Sequence, residues 1–164
     1  MTTDRLISET PDDVEPAAPT ALVVGHDGSD CASRALGTAL QLAAELGAPV
    51  TVVRAWSMVT APRPPGWTFG TVPSTDELAA AVTAELEDDV RAPAAAFPGV
   101  EVTCRAYHAG PVRALIDAAR EARMLVVGSR GVGGLREMVL GSVSDQCVRY
   151  AACPVLVVRD RAEG

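Results

Sequence analysis

Short apolar runs alternate with amphipathic helical patterns along most of the chain, and this alternation restricts the possible folds more than any other feature. The runs are long enough for buried strands and too short for helices. Five strands are predicted, at residues 21–24, 50–55, 100–107, 124–127 and 155–158. A helical pattern separates each strand from the next, and such crossovers join parallel strands. The sequence therefore predicts a single-domain α/β fold, an open parallel five-stranded sheet with helices on both faces.

Helix boundaries are marked by residues that commonly begin or end helices. Ser29 is positioned to cap the first helix, and Gly47 follows its last apolar residue. The sequence 74–77 is a capping box, and Pro93 is the predicted end of that second helix. Gly110 and a following proline open the third helix. These signals support four helices between the five strands.

The segment 123–150 contains an apolar strand, a glycine-rich loop and the start of an amphipathic helix. Its glycines follow the spacing Gly128-x2-Gly131-x9-Gly141, with Ser142 next. Glycines allow an anion to approach the backbone closely, and a helix N-terminus offers free N–H groups to it. Arg130 and Arg136 add positive charge, opposed only by Glu137. Ser142 can cap the helix or offer its hydroxyl to a phosphate oxygen. The segment indicates a phosphate site, although a glycine loop alone is more often only a turn.

A second ligand-like feature follows the first strand. With the strand order 3-2-1-4-5, the winding direction reverses between strands 1 and 4, and ligands of such sheets bind in the crevice at that point. Asp27 ends strand 1 and Gly128 ends strand 4, so they fall on opposite sides of one crevice. This placement favours a binding site over a mere turn. The alternative for Asp27 is a carboxylate that only favours the start of a helix.

Composition limits the classes of partner. The chain has 164 residues and a net charge of −7, which argues against a general nucleic-acid or membrane-surface binder. Because no apolar run has the length of a membrane span and no signal-peptide core is present, we expect a cytoplasmic protein. The four cysteines and two histidines lack metal-ligand spacing, so buried reduced thiols are favoured over a metal or redox site.

Residues 1–19 are expected to form a disordered acidic tail, residues 20–160 the domain, and residues 161–164 a C-terminal tail.

The last strand is apolar on both faces, although the predicted order places it at a sheet edge. An uncovered apolar edge invites aggregation, and a partner related by a two-fold axis would cover it. We therefore expect a homodimer through Val155, Leu156, Val157 and Val158. The long, proline-rich connection 56–73 either lies over the ligand or covers the edge of the core.

Three stretches together resemble the universal stress protein family over residues 20–159: Val-Val-Gly-His-Asp-Gly-Ser at 23–29, the Gly-x2-Gly-x9-Gly-Ser signature, and Cys-Pro-Val-Leu-Val-Val at 153–158. The resemblance implies a Rossmann-like fold, a homodimer and membership of the ATP-binding class, and thus ATP as the ligand, to which Mg²⁺ is a possible addition. It places Asp27 near the adenosine and the backbone of Ala55 at the adenine edge. Asp27 would also reach Mg²⁺ indirectly, through a phosphate. The full set of candidate nucleotide-binding residues is Gly25, His26, Asp27, Ala55, Gly128, Ser129, Arg130, Gly131, Gly141, Ser142 and Val143.

Three functions are compatible with these features. The first is an ATP-binding protein that regulates a response to stress or energy state. The second is a dimeric interaction module that does not depend on nucleotide. The third is a slow ATP hydrolase, which is disfavoured because the chain contains no lysine for a Gly-x4-Gly-Lys phosphate loop and no nucleophile–base spacing.

Overall fold

The computed structural model describes residues 13–132 and 140–160. Five strands form one sheet in the order β3-β2-β1-β4-β5, and every neighbouring pair is parallel. This confirms the predicted architecture and strand order. In chain order the elements are β1 (Leu22–Gly25), α1 (Asp30–Leu46), β2 (Val50–Trp56), α2 (Thr75–Ala95), β3 (Val102–His108), α3 (Pro111–Ala118), β4 (Met124–Gly128), α4 (Ser142–Tyr150) and β5 (Val155–Val158).

The predicted caps of the first two helices are present. The Ser29 hydroxyl accepts the Ala32 N–H at 3.2 Å, and Gly47 ends α1 in the left-handed region at φ 62°. Ser74 and Glu77 form both hydrogen bonds of the capping box at the start of α2.

Two helix boundaries differ from the prediction. Helix α2 continues past Pro93 to Ala95, because a proline in the last turn removes one hydrogen bond where the helix is about to end. Gly141, and not Ser142, occupies the N-cap of α4. Ser142 is therefore the first helical residue, and its hydroxyl is not used as the helix cap.

Each face of the sheet carries its own apolar core. Alternate strand residues point to opposite faces, so Val24 and Val52 pack with α1 and α2, whereas Val23 and Val53 pack with α3 and α4. Leu36, Leu40 and Leu86 fill the first core, and Leu115, Leu125 and Cys147 lie in the second. The two cores leave the carboxyl ends of β1, β2 and β4 together at one end of the sheet.

Residues 13–19 belong to the folded unit, and not to the disordered tail predicted for residues 1–19. Val14 and Ala17 are buried in the core on the α3 side, and the Ala17 N–H donates to the Ala118 carbonyl at 2.8 Å. This segment also covers Tyr107, whose side chain is buried and whose hydroxyl donates to the Glu15 carbonyl. The rest of the expected tail, residues 1–12, and the C-terminal residues 161–164 lie outside the described residues.

Strand β5 forms one edge of the sheet and pairs only with β4 among the described residues. Its four residues are half-buried. Of the helices in residues 13–132 and 140–160, none combines the length and apolarity needed to cross a membrane.

Candidate functional site

A cleft of about 1110 Å³ lies over the carboxyl ends of the central strands. It occupies the predicted crevice, where the chain winds away from β1 to one side and from β4 to the other. Most of the residues selected from the sequence line it: Gly25, His26, Asp27, Ala55, Gly128, Arg130, Gly131, Gly141, Ser142 and Val143. The fold thus brings together segments that are up to 118 residues apart in sequence, from Gly25 to Val143.

Asp27 bridges the two sides of the cleft. One carboxylate oxygen accepts the Ser29 N–H at 3.0 Å, and the other accepts the Val132 N–H at 2.9 Å. Burial raises the pKa of Asp27, but hydrogen bonds from Ser29 and from the Val132 backbone outweigh it and lower the pKa below 3.8. Asp27 is therefore an anion at neutral pH, able to accept hydroxyl or amine donors from a ligand.

At two glycines of the signature, an added Cβ would lie less than 3 Å from the opposite side of the cleft. A Cβ on Gly131 would lie 2.5 Å from the second Asp27 carboxylate oxygen. A Cβ on Gly128 would lie 2.8 Å from Cys31 Sγ and 3.0 Å from the Cys31 carbonyl carbon. A side chain at Gly128 would therefore clash with α1, and one at Gly131 would displace the Asp27 carboxylate. Gly141 is less crowded, with the Ser129 carbonyl oxygen 3.4 Å from its Cβ position.

The N-terminus of α4 supplies the amide groups. The Asp145 N–H makes the first bond within the helix, to the Gly141 carbonyl at 3.0 Å. The N–H groups of Ser142, Val143 and Ser144 precede that bond, so they have no acceptor in the helix. With the positive end of the helix dipole, they suit an anion at the cleft.

Arg130, expected as a nearby positive charge, is already paired in this structure. Its guanidinium lies 3.5 Å from a carboxylate oxygen of Asp160, which also pairs with Arg34. Arg130 is still partly exposed and lines the cleft. An anionic ligand would compete with Asp160 for this side chain.

Ser129 is the one selected residue that faces away from the cleft. Its side chain is buried beside Cys31, and its N–H donates to the Val158 carbonyl at 2.8 Å. Its carbonyl accepts the Gly141 N–H and the Ser144 hydroxyl. Ser129 therefore ties the loop to β5 and α4, and its backbone N–H is not available to a ligand.

Several residues that line the cleft were not selected from the sequence. Arg54 of β2 is 7% exposed and contacts His26 and two acidic side chains of α2. A charged residue inside an apolar strand is rarely buried without partners, and this signal was available in the sequence. The indole of Trp56 stacks on His108 with ring centroids 4.5 Å apart. This stacked pair forms a flat aromatic wall of the cleft.

Two of the four cysteines, Cys31 and Cys147, are buried, whereas Cys104 and Cys153 are only partly buried. All four cysteines are free, and burial raises the pKa of Cys147 to about 11, so that thiol stays protonated at neutral pH. Within residues 13–132 and 140–160, no group of three or more histidine, cysteine or acidic side chains is arranged to hold a metal ion.

Sequence comparison relates this chain to a known family. A model of the universal stress protein family matches residues 20–159. A universal stress protein of Mycobacterium tuberculosis is 34% identical over 138 residues, which cover 84% of this chain and 45% of the relative. Universal stress protein YxiE of Bacillus subtilis is 34% identical over 146 residues, covering 84% of this chain and 97% of the relative. The chain spans about half the length of the mycobacterial relatives and nearly all of the Bacillus one.

Solved structures show the same fold. A universal stress protein in complex with cAMP superposes with a TM-score of 0.62 at 30% identity, covering 85% of this chain and 96% of that one. A universal stress protein from Archaeoglobus fulgidus in complex with dAMP has a TM-score of 0.59 at 24% identity, covering 85% and 97%. At that lower identity the likeness shows the fold alone.

Proposed function

The chain belongs to the universal stress protein family, and we propose that it is a regulatory protein that binds an adenine nucleotide, ATP, in the cleft between β1 and β4. The observation that carries this proposal is the meeting of an ionised Asp27 with the free amides of α4 across one cleft. One side offers an acceptor for sugar or base donors, and the other offers donors for phosphate. A nucleotide needs both at once.

The geometry divides the site into two ends. The phosphates lie at the start of α4, against the N–H groups of Ser142 and Val143 and the guanidinium of Arg130. The nucleoside lies toward Asp27 and Ala55, beside the Trp56 indole. The neighbour that is 30% identical is a complex with cAMP, which has the same adenosine unit.

Mg²⁺ is part of the proposal only as a companion of the phosphates. The Asp27 carboxylate accepts the backbone N–H groups of Ser29 and Val132, and a carboxylate has about four acceptor positions in all. Mg²⁺ is usually held by one or two carboxylates with phosphates and water. Asp27 suits an indirect role, in which it reaches Mg²⁺ through a phosphate of ATP.

The proposed assembly is a cytoplasmic homodimer through β5. The strand lies at the sheet edge, and Val155, Leu156, Val157 and Val158 are half-buried without a partner chain. Pairing with a second copy would cover these apolar residues. A dimer whose interaction role does not depend on nucleotide is the second candidate, and the same edge favours it.

The nucleotide content of purified protein tests the proposed site. Denatured wild-type protein should release adenine nucleotide that chromatography identifies. Gly131→Val should release little, because its side chain would occupy the space beside Asp27 and block the backbone. Gly99→Ala is the control, since its added Cβ meets nothing within 4 Å and lies outside the cleft. Equal nucleotide content in all three proteins would refute the loop assignment, and a wild type without nucleotide but dimeric would favour the interaction module.

A further inference from the structure

Arg54 is a buried cation, and each of its three guanidinium nitrogens has a hydrogen-bond partner. Its Nε donates to the His26 carbonyl at 2.9 Å, and one terminal nitrogen lies 2.9 Å from His26 Nδ1. The same nitrogen donates to Asp89 at 2.7 Å, and the other donates to Glu85 at 3.4 Å. Arg54 therefore joins helix α2 to the residue that precedes Asp27.

The contact with His26 fixes the state of its ring. His26 Nδ1 faces two obligatory donors, the Arg54 guanidinium and the Gly28 N–H at 3.2 Å. It must therefore carry a lone pair, so the ring is neutral and its proton lies on Nε2. The His26 side chain is 3% exposed, and Nε2 has no hydrogen-bond partner among the described residues.

These contacts hold a tight turn at the cleft. Gly28 has φ 87°, a left-handed conformation that glycine adopts readily. The turn directs the Asp27 carboxylate to the Val132 N–H, 105 residues further along the chain. Asp27 is the only residue between His26 and Gly28, the two ends of the turn. A shift of the His26 carbonyl or ring would therefore move the Asp27 side chain.

We propose that Arg54 is a positioning residue of the nucleotide site, which holds the 26–28 turn through the backbone and ring of His26 so that Asp27 faces the glycine loop. This inference rests on the proposed function for its consequence in binding. Asp89 and Glu85 hold the guanidinium from the side of helix α2. Helix α2 therefore helps to order the cleft without contacting the ligand. No contact between Arg54 and nucleotide is required.

Conservative variants test the proposal in the full-length chain. Arg54→Lys keeps the positive charge but loses the planar guanidinium, which contacts the carbonyl oxygen and Nδ1 of His26 and the carboxylates of Asp89 and Glu85. Asp89→Asn weakens one anchor of the guanidinium. Asp88→Asn is the matched control, because the neighbouring Asp88 pairs with exposed Arg91 on the surface of α2.

Calorimetry with ATP and Mg²⁺ gives the functional readout. We expect Arg54→Lys to weaken ATP affinity on the order of tenfold and Asp89→Asn about threefold, as for lost hydrogen bonds to charged groups. Asp88→Asn should bind as wild type does. Wild-type affinity in both Arg54→Lys and Asp89→Asn would overturn the proposal.

Nuclear magnetic resonance separates positioning from mere stabilisation and does not require nucleotide. With only two histidines in the chain, a His108→Gln variant assigns the ring signals. In wild type we expect the Nε2–H tautomer of His26 at pH 8. In Arg54→Lys the chemical shifts of the His26 ring nitrogens and of the Val132 amide should change, because the hydrogen bond from the Val132 N–H to Asp27 loosens. Asp88→Asn should leave both sets of chemical shifts unchanged.

The two readouts distinguish the failure of each proposal. If wild type takes up no ATP but the Val132 amide responds to Arg54→Lys, the proposed function fails and the positioning role stands. If ATP binds but neither the Val132 amide nor the affinity responds to Arg54→Lys and Asp89→Asn, the positioning role is refuted and the proposed function stands.

Discussion

Gly128→Ala tests whether the end of β4 packs against the first turn of α1 as closely as the cleft requires. The added Cβ would lie 2.8 Å from Cys31 Sγ, 3.0 Å from the Cys31 carbonyl carbon and 3.1 Å from its oxygen. The thiol is held by contacts with Ser129 Oγ and the Val158 carbonyl, and the carbonyl group belongs to helix α1. A rotamer change cannot relieve all three contacts.

The size of the effect follows from two opposing terms. Overpacking by one methyl group in a packed region costs about 1–3 kcal/mol. Replacing glycine with alanine recovers about 0.4–1 kcal/mol by restricting the unfolded chain. The net loss is roughly 0–2.6 kcal/mol, which lowers the Tm of a chain of this size by at most about 10 °C.

Thermal and urea unfolding, followed by circular dichroism, measure this loss. Gly37→Ala is the matched control: it lies within α1, its added Cβ meets nothing within 4 Å, and alanine favours the helix. Gly37→Ala should therefore raise the Tm, whereas Gly128→Ala lowers it. Adding Cys31→Ala to Gly128→Ala removes only the sulfur contact and should restore part of the loss. A Gly128→Ala variant as stable as Gly37→Ala would refute the close packing described above.

Three other perturbations have expected outcomes. Ser74→Ala removes the capping box of α2 and should cost about 1 kcal/mol in urea unfolding, with Ser33→Ala, which lies past the first turn of α1, changing less. The folded state lowers the pKa of Asp27 below 3.8, so the contribution of Asp27 to stability is present above that pH and is lost as the pH falls through the folded value. The difference in stability between wild type and Asp27→Asn should therefore shrink over this acid range. A constant difference would contradict the hydrogen bonds assigned to Asp27. Asp160→Asn releases Arg130 and should tighten ATP binding about two- to threefold by calorimetry, as expected for an exposed ion pair, whereas unchanged affinity would mean that Arg130 does not reach the phosphates.

Local patterns were sufficient to predict the elements and the place of the site. Apolar spacing defined the strands and helices, and Ser29, Gly47 and the 74–77 capping box fixed boundaries that the structure confirms. The alternation of strands and helices then fixed a parallel sheet. Asp27 and Gly128 both line the cleft because Gly128 ends β4 and Asp27 lies two residues after the end of β1.

Features that depend on contacts between distant residues were not predictable in this way. Tyr107 is buried because the segment with Val14 and Ala17 covers it, and nothing nearby in the sequence reveals that contact. Ser129 lies within the glycine signature, yet β5 binds its N–H. Arg54 interrupts an apolar strand, but its acidic partners are 31 and 35 residues away, and only the packing of α2 identifies them.

Isothermal titration calorimetry of the full-length chain with ATP and Mg²⁺ tests the central claim most directly. Protein first freed of nucleotide should bind one ATP per chain with a Kd below about 100 μM, which corresponds to roughly −5.5 kcal/mol, and the affinity should be lost in Gly131→Val but kept in Gly99→Ala. Absence of saturable heat from folded wild-type protein, with and without Mg²⁺, would contradict the assignment of the cleft as a nucleotide site.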